Sequence, residues 1–375
     1  MRATSKIVRS RVYSDPLKLF KIPILLALML LGQPVCAQTL RLGALLDLSS
    51  SDEGRAYLRG LELAVEQEQG QVELFAEDSG GGSKRAEAAT ETLISSGLVG
   101  ALFLMSIEQQ LSAHPIARKY EVLTINIAES SPRIEKLGEL GFGFGLWEPA
   151  TAERGAVFAF EDLKARTAAV VCQYDNWSDR ICKEFTEWFQ KLGGRIVIGQ
   201  SLNPEQLDFR TVIHRIEAAK PALLFLPLKK NAAEFLKQLR QQHPSLNIRL
   251  LTAQAFSPEE LKLIEGYMLY QIQPVLKQND RLNKLLERYR ARYKEDCHHP
   301  LQVAWGYDAG RLVIEGWKRN QFQTGKSLAS AIRKLRMYPG ASGLINLNDR
   351  GTAAKYPGVL RAHNGSVTEL TIGRY

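Results

Sequence analysis

Ala222-Leu223-Leu224-Phe225-Leu226 carries no polar side chain, and neither does Ala101-Leu102-Phe103-Leu104. A strand with one wet face alternates apolar and polar residues; an unbroken apolar run of this length reads as a strand buried on both faces, as in a parallel sheet covered by helices. Working outward, short apolar runs alternate with helical patterns through the rest of the chain. Leu40–Leu48 and Val72–Ala76 read as strands around a helix over Gly54–Glu68, in which Leu58, Leu61 and Val65 share a face. Val99–Met105 and Val122–Ile127 continue this series. A second series follows Trp147-Glu148-Pro149. It holds a strand over Ala168–Tyr174, a helix starting at Ser178 with the stripe Ile181, Phe185, Trp188, Phe189 and Leu192, and a further helix capped by Asp208. Ser83 is expected to cap the second helix of the first series, and Ser257-Pro258-Glu259-Glu260 is a capping box. The predicted fold class is α/β, with two doubly wound parallel-sheet lobes.

The 375 residues are 45% hydrophobic and 24% charged, which is ordinary globular usage and enough for about two domains. The formal charge of +9 is misleading, because six bases and one acid fall within residues 1–37. The remainder carries +4 and no basic run interleaved with aromatics, which argues against nucleic acid as a partner. The basic segment leads into the apolar Ile22–Leu31 and then Val35-Cys36-Ala37, the pattern of a cleaved export signal. An N-terminal anchor, or a lipoprotein acylated on Cys36, is the alternative, but Gln33-Pro34-Val35 makes a poor lipobox. Cleavage near Ala37 gives a periplasmic protein and leaves Cys172, Cys182 and Cys297. Cys172 and Cys182 either pair or remain thiols, Cys172 being buried in a strand.

Catalytic and metal patterns are not found. Gly80-Gly81-Gly82 lacks the Lys-Ser/Thr of a phosphate loop, Gly141-Phe142-Gly143-Phe144-Gly145 alternates like a strand, and there is no GxSxG or HExxH. The six histidines do not fall at metal-ligand spacings, His214 reads as a surface residue, and Cys297-His298-His299 reads as a loop before Pro300. An enzyme is not expected, nor is a cofactor or metal.

The residues also resemble a known family. Leu42-Gly43-Ala44-Leu45-Leu46-Asp47-Leu48-Ser49 followed by Gly54 and Gly60-Leu61-Glu62-Leu63-Ala64-Val65-Glu66 resembles the opening of type I periplasmic solute-binding proteins, in particular those of branched-chain amino-acid ABC importers. Glu77-Asp78, Ala86-Glu87-Ala88-Ala89, Asp208-Phe209, Ala218-Ala219-Lys220-Pro221, Tyr307-Asp308-Ala309, Gly340-Ala341-Ser342-Gly343 and Asn348-Asp349-Arg350-Gly351 extend the resemblance through nearly the whole chain in order. The resemblance implies two lobes joined by three crossovers, placed near 146–149, 253–256 and 338–343. Lobe one is then 38–147 and 256–339; lobe two is 148–255 and 340–375.

It further implies a small-molecule ligand in the cleft, an amino acid or amide-like compound, captured by hinge closure and passed by a monomeric protein to the membrane permease of an ABC importer. In the family a Gly-Pro-x-x-Ser segment and an Ala-Thr pair hold the ligand carboxylate; here those places read Phe103-Leu104-Met105-Ser106 and Glu129-Ser130. Ser106 and Ser130 keep the hydroxyls, whereas Glu129 would repel a carboxylate and favour a cationic or amide group. The aromatic loop reads Tyr174-Asp175-Asn176-Trp177, with Trp177 expected at the cleft mouth, and Gln254 stands where an acid usually holds the ammonium. These departures keep a second function open: a periplasmic sensor or activator on the same scaffold, with a diverged ligand site.

Overall fold

Unbroken apolar strands need cover on both faces, and the chain supplies it by returning a helix after almost every strand. In the computed structural model the described residues are 39–370, apart from 81, 99, 229, 245–247, 255, 257, 264, 364 and 365. The expected export signal and the capping Ser257 lie outside them. The first series runs β1 (Leu40–Leu46), α1 (Asp52–Val65), β2 (Val72–Asp78), α2 (Ser83–Ser95), β3 (Ala101–Leu104), α3 (Ile107–Lys119), β4 (Leu123–Asn126), β5 (Glu129–Ser130), α4 (Pro132–Glu135), β6 (Gly141–Gly143) and β7 (Leu146–Trp147). The second runs α5 (Glu148–Val157), β8 (Thr167–Gln173), α6 (Asn176–Lys191), β9 (Arg195–Leu202), α7 (Arg210–Ala219), β10 (Leu223–Phe225), α8 (Ala232–Gln242), β11 (Arg249–Thr252), α9 (Pro258–Leu263) and β12 (Met268–Gln273). Then come α10 (Asp280–Tyr293), α11 (Pro300–Arg319), α12 (Gly325–Arg333), the hairpin β13 (Tyr338–Gly340) and β14 (Gly343–Ile345), and finally β15 (Gly358–His363) and β16 (Ser366–Glu369).

Lobe one holds the five-stranded parallel sheet β2-β1-β3-β4-β6. All four residues of β3 are fully buried, as the apolar run requires. Phe103 and Phe142 pack with Trp317 of α11 in one core. Helix α11 lies directly on α1, because neither helix has a side chain at the crossing: a Cβ on Gly60 would meet the Val303 carbonyl oxygen at 2.2 Å, and one on Gly306 the Tyr57 oxygen at 2.3 Å. Lobe two holds the sheet β16-β15-β12-β11-β10-β8-β9, parallel except at its edge, where β15 and β16 run antiparallel. Its two faces are filled by separate cores, one around Phe185, Phe189 and Phe225, the other around Phe209, Ile213, Phe235 and Leu236.

This topology moves two of the expected crossovers. β12 pairs in parallel with β11, so residues 256–273 belong to lobe two and the second crossing falls after Gln273, not at 253–256. Nothing in the sequence of Met268–Gln273 ties it to either sheet. Similarly, Ile345, Leu347 and Ala353 are buried in the core of lobe one, and the chain first joins the second sheet at β15. The third crossing therefore lies between Ala353 and Gly358, rather than at 338–343. Three helix starts also shift slightly. Gly82, Asp175 and Phe209 hold the cap positions of α2, α6 and α7. Asp175 accepts from the Trp177 and Ser178 amides, and Asp208 still accepts from the Arg210 amide one step outside the cap. The Cys172 and Cys182 sulfurs are bonded, joining β8 to α6, so the paired alternative holds and Cys297 is left as a thiol. No helix among the described residues is long and apolar enough to cross a membrane.

Candidate functional site

Ligands of open α/β sheets collect at the carboxyl ends of the strands. In lobe one those ends lead into α3 and β5; in lobe two the end of β8 leads into α6. The two walls meet. Glu108, in the first turn of α3, lies 2.9 Å from Arg133 of its own lobe and 3.6 Å from Arg180 on α6 of the other. Arg180 also pairs with Glu148 at the start of α5, and the Ser131 hydroxyl donates to that same carboxylate. One chain of charges thus runs Arg133, Glu108, Arg180, Glu148 across the cleft. Burial pushes the Glu108 carboxyl up, but the bonded Arg133 guanidinium, helped by Arg180, outweighs this and leaves it below the ordinary value. Glu184, one turn along from Arg180, is raised by burial and by the charge of Glu148.

The hinge behind this chain is a close-packed ribbon. β5 and β7 pair in parallel, with Glu129 opposite Leu146 and Ser130 opposite Trp147. The third crossing lies on the other side, where the Trp147 amide donates to the Lys355 oxygen at 2.7 Å and the Lys355 amide to the Gly145 oxygen at 3.1 Å. On the β5 side the ribbon closes because residue 145 is glycine, since a Cβ there would sit 1.9 Å from the Ala128 carbonyl carbon. Asp308 of α11 holds the neighbouring hairpin: its carboxylate accepts from the Ala341 amide at 2.7 Å, the Ser342 amide at 2.8 Å and the Ser342 hydroxyl at 2.6 Å. Lys355 donates to the same hydroxyl, and burial pulls its ammonium down to about 8 despite the charge of Asp308.

Within this frame the six expected site residues take different places. Ser106 ends β3 at the N-cap position of α3, half-buried, without a side-chain cap bond. Glu129 turns into lobe one. Its Oε2 accepts from the Ile107 amide at 3.0 Å, at the N-terminus of α3, and its charge helps hold the buried Tyr57 hydroxyl above its usual value, behind burial itself and Glu53. A helix N-terminus attracts anions through its open amides and dipole; here that place is taken by protein carboxylates, since Glu108 also accepts from its own amide. Ser130 is fully buried in the hinge ribbon, and its hydroxyl has no hydrogen-bond partner among the described residues.

On lobe two, Tyr174 is 64% exposed at the end of β8. Trp177 is half-buried and packs on the core of its own lobe. Asp175 fixes its backbone by accepting from the Trp177 amide at 2.9 Å. Gln254 is used locally: its amide nitrogen donates to the Leu228 oxygen at 2.5 Å, and its Oε1 is 2.6 Å from the Thr252 hydroxyl. It ties the ends of β10 and β11 together. Arg180, Glu108 and Glu148 were not read from the sequence. They lie on separate elements, and only Arg180, four residues from Asn176 on the predicted helix, had a position that could have drawn notice.

Residues 39–358 match the model of a family described as periplasmic binding protein. Among curated proteins no match is found. Among solved structures, a leucine binding protein from Thermotoga maritima has a TM-score of 0.76 at 22% identity, over 89% of this chain and 98% of that one. A branched-chain amino acid transporter substrate binding protein from Streptococcus pneumoniae, in complex with isoleucine, gives 0.74 at 18%, over 88% and 97%. A solute binding protein of an ABC transporter from R. palustris, in complex with benzoate, gives 0.75 at 19%, over 88% and 95%. At these identities the likeness is one of fold. With the family model spanning both lobes and the hinge between them, the chain belongs to the periplasmic binding protein family.

Proposed function

We propose that the protein is an exported solute receptor. It captures a small polar solute, an amino acid or amide-like compound, between the lobes and delivers it as a monomer to the permease of an ABC importer. The observation that carries this reading is the meeting of two sheet ends over a ribbon hinge, with Glu108 and Arg180 3.6 Å apart across the cleft. Such an arrangement can open and close as two rigid bodies. The solved relatives named above bind leucine, isoleucine or benzoate by their descriptions, which supports a small ligand of that size. From the two walls, half-buried Ser106 and exposed Tyr174 are offered as solute contacts, with Arg180 as a third. Because Glu129 and Glu108 already fill the N-terminus of α3, the solute presents a cationic or amide group to lobe one.

Heating the protein with a panel of amino acids, amides, amines and short carboxylates tests this. A solute at 100 times its Kd contributes about 2.7 kcal/mol and raises Tm; no shift with any member of the panel overturns the reading. The second reading, a periplasmic sensor or activator, draws on the same filled helix terminus, which leaves a closed form that needs no solute. Co-purification of a protein partner without permease components, together with a silent panel, would favour it.

A further inference from the structure

Far from the cleft, lobe two carries a cluster that the solute site does not use. We propose that His214, Glu217 and His243 form a binding site for one divalent transition-metal ion of the zinc, nickel or copper class. His214 and Glu217 lie three residues apart on α7 and so share a face. His243 follows the last residue of α8 and comes alongside. Its Nδ1 lies 2.9 Å from one Glu217 oxygen, and the His214 Nδ1 lies 3.8 Å from the other. One ligand atom from each residue lies within 4.8 Å of the other two. Four ligands about 2.1 Å from a metal stand roughly 3.4 Å apart, so a small turn of the exposed His214 ring closes the set. The two rings meet edge to face with centroids 5.7 Å apart, and neither blocks the other.

The site has a fixed side and a mobile side. The His243 side chain is only 12% exposed, and its carbonyl oxygen accepts from the buried Tyr267 hydroxyl at 2.7 Å. His214 and Glu217 are exposed and can adjust. Two imidazoles and one carboxylate suit zinc, nickel or copper rather than magnesium or calcium, and three protein ligands leave a position for water. Helices α7 and α8 return against their parallel strands, so the cluster sits at the end of lobe two opposite the cleft. An ion there would tie α7 to the end of α8 without touching the solute. The sequence conceals the set, because the 25 residues between Glu217 and His243 include a whole strand.

The test uses protein purified without a polyhistidine tag, stripped with a chelator, and titrated with Zn2+ alone against a chromophoric competitor at about pH 7.5. One equivalent should bind in the micromolar range or tighter. His214→Asn, at an exposed position where folding is not at stake, should weaken binding at least roughly tenfold, as should Glu217→Gln and His243→Ala, while His298→Ala/His299→Ala should not. Absence of one-equivalent binding, or binding unchanged in His214→Asn and Glu217→Gln, overturns the proposal. A Co2+ spectrum with nitrogen-ligand bands that His243→Ala removes supports it independently.

Discussion

The two walls of the cleft use polar residues to different ends. On lobe one, carboxylates are turned back onto the protein. Glu129 accepts from the Ile107 amide, and Asp78 is held near a pKa of about 2 by the amides of Gly80 and Leu48 and by Ser49. On lobe two, Arg180 reaches across to Glu108, and Tyr174 stands open to solvent. A polar side chain at a strand end therefore points to a ligand only after the backbone amides it already satisfies have been counted. By that count lobe one is the more self-contained wall, while on lobe two Arg180 is spent on the opposite wall and Tyr174 is left exposed.

If lobe-one carboxylates are structural, removing one should be costly. Asp308→Ala leaves the Ala341 and Ser342 amides and the Ser342 O–H without their acceptor, and the protein should lose about 3 kcal/mol in urea unfolding. On lobe two the comparable tie is covalent. The Cys172–Cys182 bond spans 10 residues, so its reduction should cost about 2.5 kcal/mol on the loop-closure model, with hydrogen exchange quickening in β8 and α6 and not in the first sheet. Cutting the link between the walls should cost less: Arg180→Ala should lose about 1 kcal/mol and increase the radius of gyration in solution scattering. The Glu108 carboxyl is lowered in the folded state, so its contribution is complete above the ordinary glutamate value of about 4.3 and is lost as pH falls through the folded one. A Glu108→Gln variant should lack that acid step. The smallest effect on folding belongs to Tyr174→Ala, which should change stability by less than about 0.5 kcal/mol while weakening solute binding by about 1 kcal/mol.

Much of the fold was legible because burial on both faces writes itself as runs such as Leu223-Leu224-Phe225, and because helix starts carry local caps. The crossings were harder to read. Met268–Gln273 would serve in either sheet, and what assigns it is its pairing with β11, a partner some twenty residues earlier. For the candidate site the sequence offers positions and the structure gives their local partners. Resemblance brought Ser106, Glu129 and Ser130 to one strand-end region, yet whether Glu129 faces a solute or the α3 amides depends on the reach of one side chain. Gln254 bonds locally at the ends of β10 and β11, and Trp177 packs half-buried on the core of lobe two. Arg180 and Glu108 escaped because their significance is a contact between two lobes, for which adjacent sequence gives no sign.

Glu129 occupies the anion place at the start of α3, and the proposed receptor would therefore take a solute that offers lobe one something other than a carboxylate. Calorimetric titration of the wild-type protein and of Glu129→Ala with a neutral amide, a cationic amine and a simple carboxylate tests it most directly. The wild-type protein should bind the amide or the amine in preference to the carboxylate, and Glu129→Ala should gain carboxylate affinity by at least roughly tenfold, the scale of one charge-assisted hydrogen bond. Tightest binding of the carboxylate by the wild-type protein, with that affinity unchanged or lowered in Glu129→Ala, would contradict it.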